Sequence, residues 1–347
     1  MSPRAAGAIF LLFTACLSSH AQQSRAADSG SGVQTFPLAG PEDLEGRNMK
    51  LEAVEYKGRK AVRITMERQQ QQYEGLTLLR GTEFADGAIE ADVAVKVNTP
   101  PGIRNPGFIG IGFRARSDAR HYEMFFLRPG NSGSEDQIQR NHSVQYVSKP
   151  DFDFFKLRRP WPSVYEAYAD LQPETWTRVK IEVQGRLAKL YVNGAANPVL
   201  VVDGLKGEEL KGGVGLWAGA GQESYFSNVR ITHTKRQPIE NGGDPDGAWE
   251  VKCATDSGNL SGLLKLHRDG ATVSGTASGL LGTDLPLAGT WRNGYLELAI
   301  RGNWSGPGGD PGAATANLAG WIDGSAAKGR VSISGRADGV WAATRKE

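Results

Sequence analysis

From Val33 to Thr232 this chain is one short run of alternating apolar and polar residues after another, a pattern of period two that excludes a helical fold. Successive side chains on a strand point to opposite faces, so Ala88–Val95 sets Ile89, Ala91, Val93 and Val95 against Glu90 and Asp92. Phe108–Arg114 sets Ile109, Ile111 and Phe113 against Gly110, Gly112 and Arg114, and the bare glycine face predicts room for a group to approach the backbone. In Thr177–Gln184, Val179, Ile181 and Val183 point inward and Arg178, Lys180 and Glu182 face water. Leu187–Val192, Val214–Trp217 and Phe226–Thr232 alternate in the same way, and Ala85-Asp-Gly87 and Val192-Asn-Gly194 read as short reversals between antiparallel strands. So many short strands in roughly 200 residues predict a two-sheet sandwich over 33–232.

Periodicity is lost over 233–247, which reads as a linker. Residues 248–345 form a second unit holding Trp249, Trp291, Trp304, Trp321 and Trp341, with turn signals at Arg268-Asp-Gly270, Arg292-Asn-Gly294 and Ile322-Asp-Gly324. About eight short strands fit there. Gly247-Ala-Trp249 and Gly339-Val-Trp341 at its two ends predict that the first and last strands meet, closing a small antiparallel up-and-down β-barrel without free edges. The tryptophans then plug the interior, with Trp304, beside the loop Gly306–Gly312, the one expected to reach a ligand.

Arg4, the apolar run Ala8–Leu17 and the small residues around Ala21 have the form of a signal peptide over 1–21. That predicts a secreted or periplasmic protein, with a lipoprotein anchored through Cys16 less well supported. The apolar run is shorter than the ~20 residues of a membrane-spanning helix, so no transmembrane segment is expected in the mature chain. Residues 22–32 read as a disordered lead-in. After cleavage Cys253 is the only cysteine, and its apolar strand context predicts a buried thiol. A net charge of +2, from 40 basic and 38 acidic side chains, gives no electrostatic signature of a nucleic-acid partner.

Tyr122-Glu-Met-Phe-Phe-Leu-Arg-Pro129, His142-Ser-Val-Gln-Tyr146, Trp176-Thr-Arg-Val-Lys-Ile181, Leu190-Tyr-Val-Asn-Gly194 and Gly213-Val-Gly-Leu-Trp217 followed by Phe226-Ser-Asn-Val229 resemble the concanavalin A-like lectin/glucanase superfamily. Within it the segment 33–232 is most similar to secreted bacterial modules of the laminin-G-like and 3-keto-disaccharide hydrolase type. The resemblance implies a jelly-roll sandwich whose concave sheet and edge loops handle carbohydrate, whether by binding or by cleavage. The C-terminal unit resembles lipocalin and avidin meanders in architecture only.

Three constellations could carry chemistry. Glycoside hydrolysis ordinarily needs two carboxylates; the nearest string to the superfamily's Glu-x-Asp-x-Glu is Glu90-Ala-Asp92, where the second Glu is missing, so these two are retained as ligand-binding candidates. If Arg140–Val147 is a strand, Arg140, His142 and Tyr146 share one face with neighbours about 7 Å apart, a set suited to proton abstraction beside a carbonyl, as in elimination from a uronate or keto sugar. Arg128 and Gln145 lie nearby, and the plain structural alternative is a buried Tyr146 ring, an Arg128 paired with Glu123 or Asp136 and a His142 bonded within its loop. Thirdly, Lys149–Tyr168 is a proline-interrupted aromatic loop in which Lys149, Arg158, Trp161 and Tyr165 could bind a sugar, while Phe152, Phe154 and Phe155 read as the loop's own core. Five histidines without ligand spacing predict no transition-metal site and no cofactor, and a structural calcium ion stays compatible with the sequence. The expected partner is an oligo- or polysaccharide; an envelope adhesion module is the reading from a different class.

Overall fold

The computed structural model describes residues 32–346 apart from 47, 67–75, 99, 101, 208, 236–242, 293 and 307–309. The leader, nearly all of the lead-in, residues 236–242 of the linker and part of the Gly306–Gly312 loop therefore lie outside the described residues.

Two antiparallel sheets make the first unit. The eight-stranded sheet runs in the order Leu200–Asp203, Leu187–Val192, Thr177–Gln184, Gly87–Val97, Gln222–His233, Arg59–Thr65, Lys50–Tyr56, with Val33–Phe36 also paired to Gln222–His233. The seven-stranded sheet runs Glu166–Ala167, Val144–Lys149, Tyr122–Leu127, Ile109–Ala115, Gly213–Ala218, Leu76–Leu79, Leu44–Glu45. The alternation is realised as read: Ile89, Ala91, Val93 and Val95 are buried, as are Val179, Ile181 and Val183, while Arg178, Lys180 and Glu182 are half-exposed.

Three local readings are corrected. Arg140 ends a short helix, Gln137–Arg140, and the strand begins only at Val144, so Arg140, His142 and Tyr146 do not share a strand face. The helix starts where the Asp136 side chain accepts from the Ile138 backbone N–H, an N-cap that competes with extension. Ala85-Asp-Gly87 is a crossing between the two sheets, because Leu76–Leu79 before it lies in one and Gly87–Val97 after it in the other. Gly110 and Gly112 leave no opening: a Cβ on Gly110 would stand 2.8 Å from the Phe126 Cβ and 3.2 Å from the Met124 sulfur, and one on Gly112 2.7 Å from Leu76 Cδ1. Neighbouring side chains already occupy the space that the glycines vacate.

The second unit is a closed barrel of eight strands between Gly247 and Arg345, in which the first strand pairs with the last, Cys253 opposite Trp341. Its interior is filled by Trp249, Val251, Leu264, Leu298, Ile300, Ala316, Leu318, Val331 and Trp341, all at most 3% exposed. Bending so small a barrel brings backbones together at glycine: a Cβ on Gly329 would stand 1.9 Å from the Ala319 carbonyl oxygen. Trp304 is 1% exposed, so it is a core residue and the expected ligand contact there is overturned.

The barrel docks on the segment after Leu200–Asp203. Trp321 Nε1 donates to Asp203 Oδ1 at 2.8 Å, Tyr295 packs over Gly204, and Lys206, 3% exposed, pairs with Glu297 between the rings of Tyr165 and Tyr295. No helix among the described residues is long and apolar enough to cross a membrane.

Candidate functional site

One row of side chains crosses the seven-stranded sheet. Strand register places Glu166 beside Gln145, Gln145 beside Phe126, Phe126 beside Gly110, Gly110 beside Trp217 and Trp217 beside Leu76. The next residues along, Phe125 and Tyr146, point to the opposite face, where Phe113, Phe125 and Tyr146 form a ladder of rings 6.3 and 5.6 Å apart inside the core. Trp217 is half-exposed whereas its neighbours Leu216 and Ala218 are fully buried, which identifies its side as the outer face of the sheet.

Four polar groups gather at the Glu166 end of this row. Arg128 is 5% exposed and donates through Nη1 to the His142 carbonyl at 2.9 Å and through Nη2 to Gln145 Oε1 at 2.7 Å. Neither Glu123 nor Asp136 is its partner; three phenylalanine rings surround it instead, Phe126 at 4.8 Å, Phe154 at 5.6 Å and Phe108 at 5.8 Å. Burial, and then the neighbouring Arg158, push its pKa down to about 10. The Glu166 carboxylate is buried and held by Arg158, Nε to Oε1 at 2.8 Å and Nη2 to Oε2 at 2.6 Å, and it faces His142 Nε2 at 3.1 Å. Arg158 in turn covers Phe154 at 5.4 Å. Burial lowers the pKa of His142, with Arg158 and Arg128 acting in the same direction and Glu166 against them, so the ring is neutral near pH 7. Asn131 joins the ring of contacts, donating to the His142 carbonyl at 3.0 Å and accepting from the exposed Arg104 at 2.6 Å.

The row and this cluster make an aromatic platform with a polar end. Phe108, Phe154 and Trp217 are half-exposed and stand over buried Phe126, with Trp217 5.6 Å from Phe126 and 6.4 Å from Phe108. Two buried donors on the row have no partner among the described residues, Gln145 Nε2 and Trp217 Nε1. With its oxygen turned to Arg128, the Gln145 amide must present its nitrogen away from that guanidinium.

The remaining candidates go elsewhere. Tyr146 is wholly buried on the inner face, where its hydroxyl donates to the Glu123 carboxylate and accepts from the Lys206 backbone N–H at 2.7 Å. Burial and the Glu123 charge raise the pKa of that phenol well above 10, the wrong direction for a base near neutral pH. Tyr146→Phe is expected to cost about 1–3 kcal/mol of stability by orphaning two buried groups, and to leave saccharide affinity unchanged; urea unfolding and a titration on the same sample check both. Arg140 is spent on its own loop, bonding the Glu135 carbonyl at 3.0 Å, the Ser134 carbonyl and Gln137. Trp161 and Tyr165, 6% and 3% exposed, are core and not platforms, whereas Phe155, expected in the loop core, is 69% exposed. Lys149 pairs with Asp153. Glu90 and Asp92 lie in the other sheet, tied to Arg178 at 3.2 and 3.3 Å, and Asp92 also to Arg59 at 2.7 Å. Among the described residues no three His, Cys, Asp or Glu side chains come together as a metal site would need.

The sequence reading missed Glu166 and did not place Trp217 in a site. Each carried a signal: Glu166 is a lone acid among Val164, Tyr165, Ala167 and Tyr168, and Trp217 alternates out of phase with Val214, Leu216 and Ala218. Two hollows, of about 510 and 830 Å³, lie against the outer end of the eight-stranded sheet and on the barrel flank, and neither borders His142.

No family model matches the chain, and no curated protein matches it. Among solved structures, a carbohydrate-binding module, CBM66, from Bacillus subtilis is 13% identical, covering 55% of this chain and 95% of its own at a TM-score of 0.38. A galectin-like protein from the same organism is 12% identical, with coverage of 61% and 99% and a TM-score of 0.40. The exoplasmic/lumenal domain of VIP36 in its Ca2+-bound form is 12% identical, with coverage of 59% and 92% and a TM-score of 0.39. At scores below 0.5 these likenesses carry no weight on what this chain binds.

Proposed function

We propose that this is an exported saccharide-binding protein whose ligand lies along the outer face of the seven-stranded sheet, over Trp217, Phe126 and Phe108 and against His142, Arg158 and Arg104. The observation that carries the reading is the in-register row from Glu166 to Trp217, which sets an apolar aromatic surface beside oriented donors and acceptors on one sheet face. A sugar ring needs both, since it presents C–H patches and a rim of hydroxyls. Strands hold these groups more rigidly than a loop, which lowers the entropy lost on binding.

Isothermal titration against a panel of oligosaccharides tests it. Trp217→Ala is expected to weaken the best binder by about 1.4–2.7 kcal/mol, roughly 10–100-fold, with an unchanged far-UV spectrum. Undiminished affinity in that variant moves the site off this face.

A second reading, a sugar-cleaving enzyme, draws support from one contact, the carboxylate of Glu166 on His142 Nε2. That bond fixes the tautomer with its lone pair on Nδ1, as a base for proton abstraction requires. Product release from a uronate or keto-disaccharide, lost in His142→Ala, is the result that would favour it. Recovery of an envelope protein partner with no saccharide affinity would favour an adhesion module.

A further inference from the structure

The charges within the cluster do not balance. Among the described residues Glu166 is the only carboxylate bonded to it, and Arg158 engages both oxygens of that carboxylate. Arg128 is buried, and its hydrogen-bond partners are a backbone carbonyl and a neutral amide. Arg104 is exposed and bonded to the Asn131 amide oxygen. Two guanidinium groups therefore stand at the polar end of the platform with no carboxylate bonded to them among the described residues. A guanidinium taken out of water and left without an opposite charge is unfavourable, and the ring faces of Phe108, Phe126 and Phe154 offset that only in part. The lowered pKa of Arg128 fits the same imbalance. An anion arriving here gains attraction that a hydroxyl does not, and in a setting drier than the surface that attraction is larger than in water.

We propose that the saccharide carries an acid group, a carboxylate or a sulfate, seated at the Arg104, Arg128 and Arg158 end while its rings lie toward Trp217. Arg104 and the outer edge of Arg158 make the contact, and Arg128 supplies field from beneath, its two terminal nitrogens being engaged by His142 and Gln145. Asp136, the N-cap of the helix before His142, is an acidic group facing the site from that side, and it lowers the attraction without cancelling it.

This rests on the proposed saccharide site and is tested with pairs that differ only in charge: oligogalacturonate against its methyl ester, and a sulfated galactan oligosaccharide against its desulfated form. The acid of one pair is expected to bind at least ~10-fold more tightly than its neutral partner, with an affinity that falls as salt is raised from about 50 to 500 mM. The pair that shows the ratio identifies carboxylate or sulfate as the source. Arg104→Gln, on the exposed rim, is expected to reduce the ratio by roughly 3-fold or more, and Arg128→Met to abolish it. Because Arg128→Met risks misfolding, Arg104→Gln and Arg158→Gln provide the independent check. Equal affinity within both pairs overturns the anion proposal and leaves a neutral-saccharide site standing. No affinity for any member of either pair, or for the neutral panel, overturns both readings.

Discussion

Glu166→Ala is expected to weaken binding of a neutral saccharide by roughly 100-fold while the chain still folds, the largest single-site effect on function in this protein. Its carboxylate is the one group that touches both His142 Nε2 and the Arg158 fork, so its removal releases two rim residues together. It also leaves Arg158 and Arg128 facing each other without an intervening negative charge, which spreads the cluster. Arg158 keeps 31% of its side-chain surface and rehydrates when released, so stability is expected to fall by only about 1–2 kcal/mol. Glu166→Gln, which keeps the shape and one acceptor, should lie between the two. Titration of both variants with the best binder of the panel decides the matter. Full affinity in Glu166→Ala beside weakened affinity in Trp217→Ala would limit the site to its aromatic half.

Asp86→Ala is expected to destabilise the sandwich by about 3–5 kcal/mol without touching the site. Asp86 and Arg114 are 3% and 1% exposed, and Asp86 Oδ1 accepts from Arg114 Nη2 and from the Gly185 N–H, each at 3.0 Å. The same guanidinium donates to the carbonyls of Ala85 and Gly185 at 2.9 and 2.7 Å, so it ties the inter-sheet crossing to the turn at Gly185. With Asp86 gone the cation stays buried, because its donors remain bonded to the Ala85 and Gly185 carbonyls. Thermal unfolding of Asp86→Ala should begin roughly 6–20 °C below the parent. A loss under about 1 kcal/mol would mean that nearby acids, Glu123 above all, already neutralise Arg114. Arg114→Met alongside Asp86→Ala separates the cost of the stranded charge from that of the lost bonds.

The barrel was the more readable unit. Each of its hairpins is local, so turn signals such as Arg268-Asp-Gly270 and Ile322-Asp-Gly324 sit directly between the strands they join, and Gly270 and Gly324 adopt the left-handed conformation such turns need. Ala85-Asp-Gly87 has the same letters and a different job, since its aspartate is consumed by an arginine 28 positions away. Trp304 and Trp161 show a related limit: composition marks an aromatic as able to bind, and only packing says whether it faces a ligand or a neighbour.

The sequence by itself determined that this is an all-β protein with a sandwich followed by an eight-stranded barrel, because a period-two pattern and its turn residues are written in adjacent positions. It also marked Arg128, His142, Gln145 and Arg158 as candidate site residues. Only the tertiary structure decided which of these meet. Glu166 lies 21 residues from Gln145 and Trp217 lies 72 from it, and strand register, set by the burial of one whole sheet face, is what brings them into a single row. The same register turned Tyr146 inward, one residue from Gln145 and on the opposite face of the sheet.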